Sequence, residues 1–253
     1  ERIGGMKLLA LDTPDGKLRP EQIDREVWGW GDEHRAQPLV VSITQSTELG
    51  TNYTPEEVRA IANTAHAQGM HLHLDGSRIA NAAASLDVPL RAFTTDAGVD
   101  VLSLGGTKNG ALGAEAIVVL HTEASEGLRY LRKLNMQLGS KQRFASAQLI
   151  ALFEGELWRE SAAHANSMAT RLRAALVDAT ATGRLTFTQE TQSNAVFARL
   201  PFAAAETLRA RFGFYDWAGP FADGTVEVRW MCSWDTTTAD VDAFAEAITA
   251  ALA

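Results

Sequence analysis

The chain is poor in the features that mark disulfide-rich, membrane and nucleic-acid-binding proteins. Its 253 residues include one cysteine, Cys232, which excludes an intrachain disulfide framework and predicts a reducing, cytoplasmic location. No apolar run is long enough to span a bilayer, and the stretch that begins at Glu1 lacks the regions of a signal peptide. The formal net charge of −8 gives no basic footprint, so neither nucleic acid nor an anionic membrane is predicted as a partner.

What the chain does contain is enough apolar sequence, 46%, for a sizeable core. In the first half, β-branched runs alternate with helical patterns, which predicts βαβ units and a mainly parallel sheet flanked by helices. Thr54 and Pro55 begin a helix with a capping box, and Gly69 ends it. Strands are predicted at Met6–Leu11, Pro38–Thr44, His71–Leu74, Val99–Leu104 and Ala116–Leu120.

The pattern changes in the second half of the chain. Apolar residues at helical spacing predict helices near 123–138, 142–155 and 158–179. Shorter elements follow: strands near 184–188, 194–200 and 225–232, and helices near 203–211 and 238–252. The change predicts a large α/β domain over residues 1–157 and a smaller C-terminal α+β domain over residues 158–253.

A glycine-rich loop after one predicted strand presents a single lysine, Lys108. Gly105, Gly106 and Gly110 allow turn conformations and close approach of another group, but the spacing of a phosphate-binding Walker loop is absent. A lysine in such a loop is either a solvated surface residue or an amine that forms Schiff bases. The loop alone does not distinguish the two.

A second polar group follows the neighbouring predicted strand. Asp75 ends the strand at an Asp-Gly turn, and Arg78 lies three residues further on. Ligands of α/β sheets bind at the carboxyl ends of strands, so these side chains and Lys108 are expected to lie close together. A carboxylate, a guanidinium and an amine are the groups that a pyridoxal phosphate (PLP) enzyme uses.

These motifs, in this order, resemble the low-specificity L-threonine aldolases. Those proteins are fold-type I PLP enzymes within the β-eliminating lyase/threonine aldolase group. The resemblance extends from near residue 4 to the end of the chain. The matching stretches are His73–Arg78, Gly105–Gly110, Thr44–Gly50, Ser140–Phe144 and Arg229–Trp234.

The resemblance implies a role for each candidate site residue. Lys108 and Asp75 are the expected catalytic residues: Lys108 forms the Schiff base with PLP, and Asp75 keeps the pyridine nitrogen protonated. Arg78 and Arg229 are the expected partners of the substrate carboxylate. The residues expected to contact the cofactor are Lys108, Asp75, Arg78, Thr107 and His73.

The implied reaction is cleavage of the Cα–Cβ bond of L-threonine, allo-threonine or a related β-hydroxy amino acid, giving glycine and an aldehyde. The resemblance also implies a homodimer or homotetramer. In that family a further segment, with the phosphate-binding loop and a ring-stacking histidine, precedes the part that matches. The residues themselves leave the catalytic base and the preference between threonine and allo-threonine open.

Three alternatives remain open on the sequence. Another fold-type I PLP enzyme, either a β-eliminating lyase or an aminotransferase, would use the same three charged groups. His71, His73 and Asp75 alternate on one strand face, which is also the pattern of a two-histidine, one-carboxylate metal site. A cofactor-free binding or assembly protein is the third alternative.

Overall fold

Two four-stranded sheets follow one another along the chain in the computed structural model, which describes residues 3–253. Glu1 and Arg2, at the start of the stretch without a signal-peptide pattern, lie outside the described residues. The first sheet has the order β1-β2-β3-β4 and comprises β1 (Val40–Thr44), β2 (His71–Gly76), β3 (Val101–Gly105) and β4 (Glu115–Val119). The second has the order β5-β6-β8-β7 and comprises β5 (Thr186–Phe187), β6 (Ala195–Pro201), β7 (Tyr215–Ala218) and β8 (Thr225–Met231).

Helices connect and flank the two sheets. The α-helices are α1 (Pro20–Glu26), α2 (Pro55–Ala67), α3 (Ile79–Leu86), α4 (Leu128–Leu134), α5 (Arg143–Phe153), α6 (Leu157–Ala175), α7 (Val177–Thr180), α8 (Phe202–Arg209) and α9 (Thr238–Leu252). Single 3₁₀ turns occur at Val27–Gly29, Leu90–Phe93, Thr107–Asn109 and Thr122–Ser125. Within residues 3–253, no helix combines the length and the apolar character needed to cross a membrane.

The first sheet is mainly parallel, as predicted. Strand β1 pairs in parallel with β2, and β2 pairs in parallel with β3, while β4 runs antiparallel to β3. Helix α2 connects β1 to β2, which is the connection that parallel neighbours require. The carboxyl ends of β2 and β3 therefore lie side by side, and the two loops that follow them share one edge of the sheet.

Helix α2 begins where its capping residues predict. The Thr54 hydroxyl accepts a hydrogen bond from the Glu57 backbone N–H at 3.2 Å, and the Glu57 carboxylate accepts one from the Thr54 N–H at 2.8 Å. Pro55 occupies the first helical position, where a missing N–H has no consequence. Gly69, just beyond the helix, has a φ of +72°. Local chemistry alone therefore fixes both ends of α2.

The buried apolar residues form two clusters, one beneath each sheet. Helix α6 contributes to both: Trp158 and Ala162 belong to the first cluster, and Met168 and Leu172 belong to the second. A continuous helix thus crosses the position where the sequence pattern changes. The division into domains 1–157 and 158–253 stays a prediction.

Two secondary-structure predictions differ from the structure, and two elements were not predicted. Met6–Leu11 is not a strand, because an apolar run becomes a strand only by joining a sheet, and this run belongs to neither of the two sheets. The helix near 123–138 is restricted to a 3₁₀ turn and the seven residues of α4. Strand β7 and helix α3 were not predicted.

Candidate active site

Asp75 occupies the end of β2, on the edge of the sheet that the strand order predicts. Its Oδ1 accepts hydrogen bonds from the Ser77 backbone N–H at 2.9 Å and from the Ser77 hydroxyl at 2.5 Å. This turn, closed by the aspartate side chain, fixes the carboxylate relative to the sheet. In the ladder Asp75 stands opposite Ser103 of β3, the strand that leads to Lys108. Among the described residues Oδ2 accepts no hydrogen bond, so one oxygen remains for a ligand.

His73 lies two residues before Asp75 on the same face of β2. Both of its ring nitrogens have a hydroxyl partner: Nδ1 lies 2.8 Å from the Ser42 Oγ, and Nε2 lies 2.9 Å from the Ser103 Oγ. Burial lowers the pKa of His73, and the negative charge of Asp75 opposes that shift. The ring is therefore held in one orientation across the three parallel strands.

The alternating histidines do not form a metal site with Asp75. The Nδ1 of His71 lies 3.7 Å from a carboxylate oxygen of Asp100, at the opposite end of β2 from Asp75. The two nitrogens of His73 are held by the serines, and Asp75 binds Ser77. Residues 3–253 contain no group of three histidine, cysteine or acidic side chains that could hold a metal ion.

The lysine loop is held from both sides and leaves Lys108 exposed. The Gly106 N–H donates to the Ala114 carbonyl at 3.0 Å, and a Cβ built on Gly106 would lie 2.6 Å from that oxygen, so a side chain does not fit. The Asn109 side chain is buried and donates to the Trp158 carbonyl of α6 at 2.8 Å. The backbone around Lys108 is therefore fixed while its amine remains accessible.

Thr107 precedes Lys108 at the first position of the 3₁₀ turn. Its backbone N–H donates to the Glu115 Oε1 of β4 at 3.1 Å. The contact fastens the start of the turn to the antiparallel strand. The Thr107 side chain remains exposed on the same loop as the lysine.

Gln45 connects the loop after β1 to the turn that carries Asp75 and Arg78. It is fully buried, its backbone N–H donates to the Asp75 carbonyl at 2.8 Å, and its carbonyl accepts from the Arg78 N–H at 3.3 Å. Its amide group donates to the Tyr53 carbonyl at 2.8 Å and accepts from the Tyr53 N–H at 3.0 Å. The two backbone hydrogen bonds thus hold the two loops together, and the two side-chain bonds fix Gln45 within its own loop.

The carboxylate of Glu48 bridges the two predicted arginines. Its Oε2 lies 2.7 Å from the Nη1 of Arg229, and its Oε1 lies 3.4 Å from the Nη1 of Arg78. Burial raises the pKa of Glu48, but the hydrogen bond from Arg229 and the charges of Arg78, Arg229 and Lys108 together outweigh it and leave the pKa below its ordinary value. The two arginines and Lys108 thus act on one carboxylate.

The two guanidinium groups come from distant parts of the chain. Arg78 lies at the start of α3, and Arg229 lies on β8 of the second sheet, 4.6 Å above the ring of Trp217. Burial lowers the pKa of Arg78, the charge of Arg229 adds to that effect, and the charges of Glu48 and Asp75 oppose it. The site therefore combines groups from both sheets.

The structure brings the predicted residues together in two groups. Asp75 and His73 lie on one strand face, and Arg78, Arg229 and Lys108 act on Glu48. Glu48 itself was not predicted as a site residue. The sequence indicates only the stretch that contains it, Thr44–Gly50. The contact of Glu48 with Arg229 cannot be predicted from the sequence, because the two residues are 181 positions apart.

Comparisons with known proteins agree with this architecture. The family model described as beta-eliminating lyase matches residues 1–201 of this chain. Low specificity L-threonine aldolase from Pseudomonas aeruginosa is 42% identical, with 92% of this chain and 65% of that protein aligned. The protein of the same name from a Pseudomonas species is 39% identical, with 98% of this chain and 70% of that protein aligned.

Among solved structures, the threonine aldolase of Leishmania major superposes with a TM-score of 0.91 at 30% identity, with 100% of this chain and 72% of that chain covered. The fold is therefore that of the fold-type I PLP enzymes. The chain belongs to the β-eliminating lyase family. It spans about two thirds of the length of the curated relatives that it matches.

Proposed function

We propose that the protein is a PLP-dependent aldehyde-lyase that cleaves L-threonine, allo-threonine and related β-hydroxy-α-amino acids to glycine and an aldehyde. The observation that carries the proposal is the contact of Arg78 and Arg229 with one carboxylate, which also feels the charge of Lys108, at the sheet edge that bears Asp75. The relatives that are named threonine aldolases support the choice of reaction.

The described residues fit the ring, the aldehyde and the substrate of a PLP enzyme. The Asp75 carboxylate has an oxygen without a hydrogen bond among the described residues, as a partner for a pyridinium nitrogen requires. The Lys108 amine is exposed on a fixed loop, Thr107 and Arg78 follow β3 and β2 at the same edge, and His73 lies on β2 two residues before Asp75. Asp75, Lys108 and these three residues would hold the cofactor. Bound PLP supplies an electron sink for the substrate Cα.

Each charged residue then has a distinct task. Asp75 keeps the proton on the ring nitrogen, since a negative charge stabilises a neighbouring cation. Arg78 and Arg229 bind the two oxygens of the amino-acid carboxylate and orient the bond that breaks. Lys108 moves a proton at the substrate Cα, for which an amine on a fixed loop is well placed.

The test is replacement of Lys108 by alanine in the complete protein. We expect the visible absorption of the lysine-bound cofactor to disappear and acetaldehyde release from L-threonine to fall by at least about a hundredfold. The matched control is Lys7→Ala, an exposed lysine outside the site, which is expected to keep both signals. Turnover near the wild-type rate in the Lys108 variant would exclude the assignment.

Product analysis separates the neighbouring PLP reactions. Aldehyde and glycine in equal amounts indicate Cα–Cβ cleavage, ammonia indicates β-elimination, and a keto acid indicates transamination. The same charged residues would serve all three reactions, so only the products decide between them. We expect aldehyde and glycine from both threonine epimers.

We also infer that the complete protein is a homodimer or homotetramer that works in the cytoplasm. Support for the oligomer comes from α4 and the turn after it, where Tyr130, Leu134 and Met136 expose 74%, 77% and 89% of their surface. Apolar patches of this kind are typical of protein interfaces. The single buried cysteine, Cys232, is consistent with a reducing compartment.

A further inference from the structure

The turn that carries Glu48 is closed by its own hydrogen bond and lies against β6 and the residues just before it. The Gly50 N–H donates to the Thr47 carbonyl at 2.9 Å, and the Gly50 carbonyl accepts from the Ser193 hydroxyl at 3.1 Å. Gly50 has a φ of +76°, and a Cβ there would lie 3.3 Å from the Ala195 Cβ of β6. The backbone at residue 48 is therefore fixed, and the Glu48 side chain extends from it toward the arginines.

The arginines are enclosed and their carboxylate partner is not. The side chains of Arg78 and Arg229 expose 12% and 23% of their surface, whereas the side chain of Glu48 exposes 54%. Glu48 thus approaches the guanidinium pair from the open side, where a dissolved carboxylate would also arrive. Glu48 makes one short contact, 2.7 Å to Arg229, and one long contact, 3.4 Å to Arg78. Glu48 therefore does not use the full hydrogen-bonding capacity of the two guanidinium groups.

We propose that Glu48 is a built-in competitor of the substrate carboxylate: it occupies the Arg78–Arg229 pair when no amino acid is bound and leaves the pair when one binds. The proposal rests on the proposed function, in which these two arginines bind the amino-acid carboxylate. It makes Glu48 a determinant of specificity. Only a ligand that brings its own carboxylate replaces the Glu48 carboxylate at the two arginines.

Charge balance explains why such a competitor is useful. Two guanidinium groups side by side repel each other, and the one carboxylate of Glu48 reduces their combined charge from +2 to +1. An amine that lacks a carboxylate gains nothing from the arginines while Glu48 stays in place. An α-amino acid brings a carboxylate that forms the paired hydrogen bonds guanidinium groups favour, and it displaces the longer, weaker contact first.

The experiment compares Glu48→Gln with the wild type in the complete, PLP-loaded protein. Calorimetric titrations at constant ionic strength use three ligands. Glycine carries a carboxylate and an amine, acetate carries the carboxylate without the amine, and ethanolamine carries the amine without the carboxylate. We expect the dissociation constants of acetate and glycine to fall by roughly fivefold in the variant, the order of a half-exposed ion pair. The dissociation constant of ethanolamine is expected to stay unchanged.

The control is Asp242→Asn, which removes the carboxylate from the exposed ion pair of Arg171 in α6 with Asp242 in α9. This variant should alter none of the three titrations. Weaker or equal acetate binding by Glu48→Gln would overturn the proposal and make Glu48 a support of the arginines. Equal shifts for ethanolamine, or no saturable acetate binding by either protein, would overturn it as well. Tighter acetate binding without threonine cleavage would reject the proposed function and keep Glu48 as the competitor.

Discussion

At the scale of single residues, the buried carboxylate of Asp100 joins β2, the start of β3 and helix α2. It precedes β3, and its side chain is only 5% exposed. One of its oxygens, Oδ2, accepts from the Leu72 N–H at 2.7 Å and lies 2.9 Å from the Nε2 of His66, which joins the sheet to α2. His71 and His121 lie within 4.0 Å of the same carboxylate.

Replacing Asp100 by asparagine tests how much stability this charge contributes. Burial raises the pKa of Asp100, but the Leu72 N–H and the charges of His66 and His71 outweigh it, so the folded pKa lies below the ordinary value of 3.8. A lowered folded pKa means that the stabilisation is present above the unfolded value and is lost as the pH falls through the folded one. We expect the variant to lose about 2 kcal/mol of unfolding free energy at pH 7.

Urea unfolding of wild type and variant, measured at pH 7 and again below the ordinary pKa, checks this expectation. The difference between the two proteins should shrink at the lower pH, because the wild-type carboxylate then becomes protonated. Asp96→Asn, which removes a carboxylate from an exposed pair with Arg91, should change stability less. A difference that is independent of pH would show that the charge is not responsible.

At the scale of elements, the packing of α3 against α6 sets the position of Arg78, which directly precedes α3. Small side chains allow the close approach: Ala82 and Ala83 of α3 and Ala162 of α6 are fully buried. Asn81 and Asn166 add two hydrogen bonds across the interface, of 3.1 Å and 2.9 Å. A change in α6 should therefore reach Arg78 through α3.

Ala162→Leu tests the packing of α3 against α6 by overfilling the interface. We expect it to reduce the unfolding free energy by about 1–3 kcal/mol, because extra methylene groups in a packed core force side chains and backbone to shift. Ala163→Leu adds the same volume on the exposed side of α6 and should leave stability nearly unchanged. Thermal unfolding of the two variants gives the comparison, and equal stability of both would argue against tight packing at α3.

Elements whose signals are local could be predicted from the sequence, and those that need a partner could not. The capping box at Thr54 and Glu57 predicts the start of α2 by itself. Strand β7 (Tyr215–Ala218) has only four residues, lies at an edge and is mostly exposed, so its sequence signal is too short to recognise. Met6–Leu11 has the composition of a strand, but strand formation depends on a neighbour that composition does not specify.

The candidate site divides in the same way. Asp75 and Lys108 follow strands that are apolar enough to be recognised, and the sheet order brings their loops to one edge. Their roles, with those of His73, Thr107, Arg78 and Arg229, stay predictions until the variants are measured. The contact of Glu48 with Arg229 joins two sheets, and a single sequence holds no signal for such a pairing.

At the scale of the whole molecule, the surface around α4 differs from the rest. Every residue from 129 to 143 is exposed, although Tyr130, Leu131, Leu134 and Met136 are apolar or aromatic. Helix α4 has no buried residue among those described, so packing within a single chain adds little to its stability. The net charge of −8 favours solubility but leaves this apolar patch in contact with water. We therefore propose that a second copy of the chain buries the patch.

The double variant Leu134→Glu, Met136→Glu tests that cover. If these side chains are buried between copies, two unpaired carboxylates at the interface should weaken association by at least about a hundredfold. Light scattering behind size exclusion should show the complete wild-type protein as a dimer or tetramer and the variant as a smaller species at micromolar concentration. Val177→Glu, on the exposed side of α7, should keep the wild-type mass. An unchanged mass in the double variant would place the interface elsewhere, and a monomeric wild type would reject the oligomer itself.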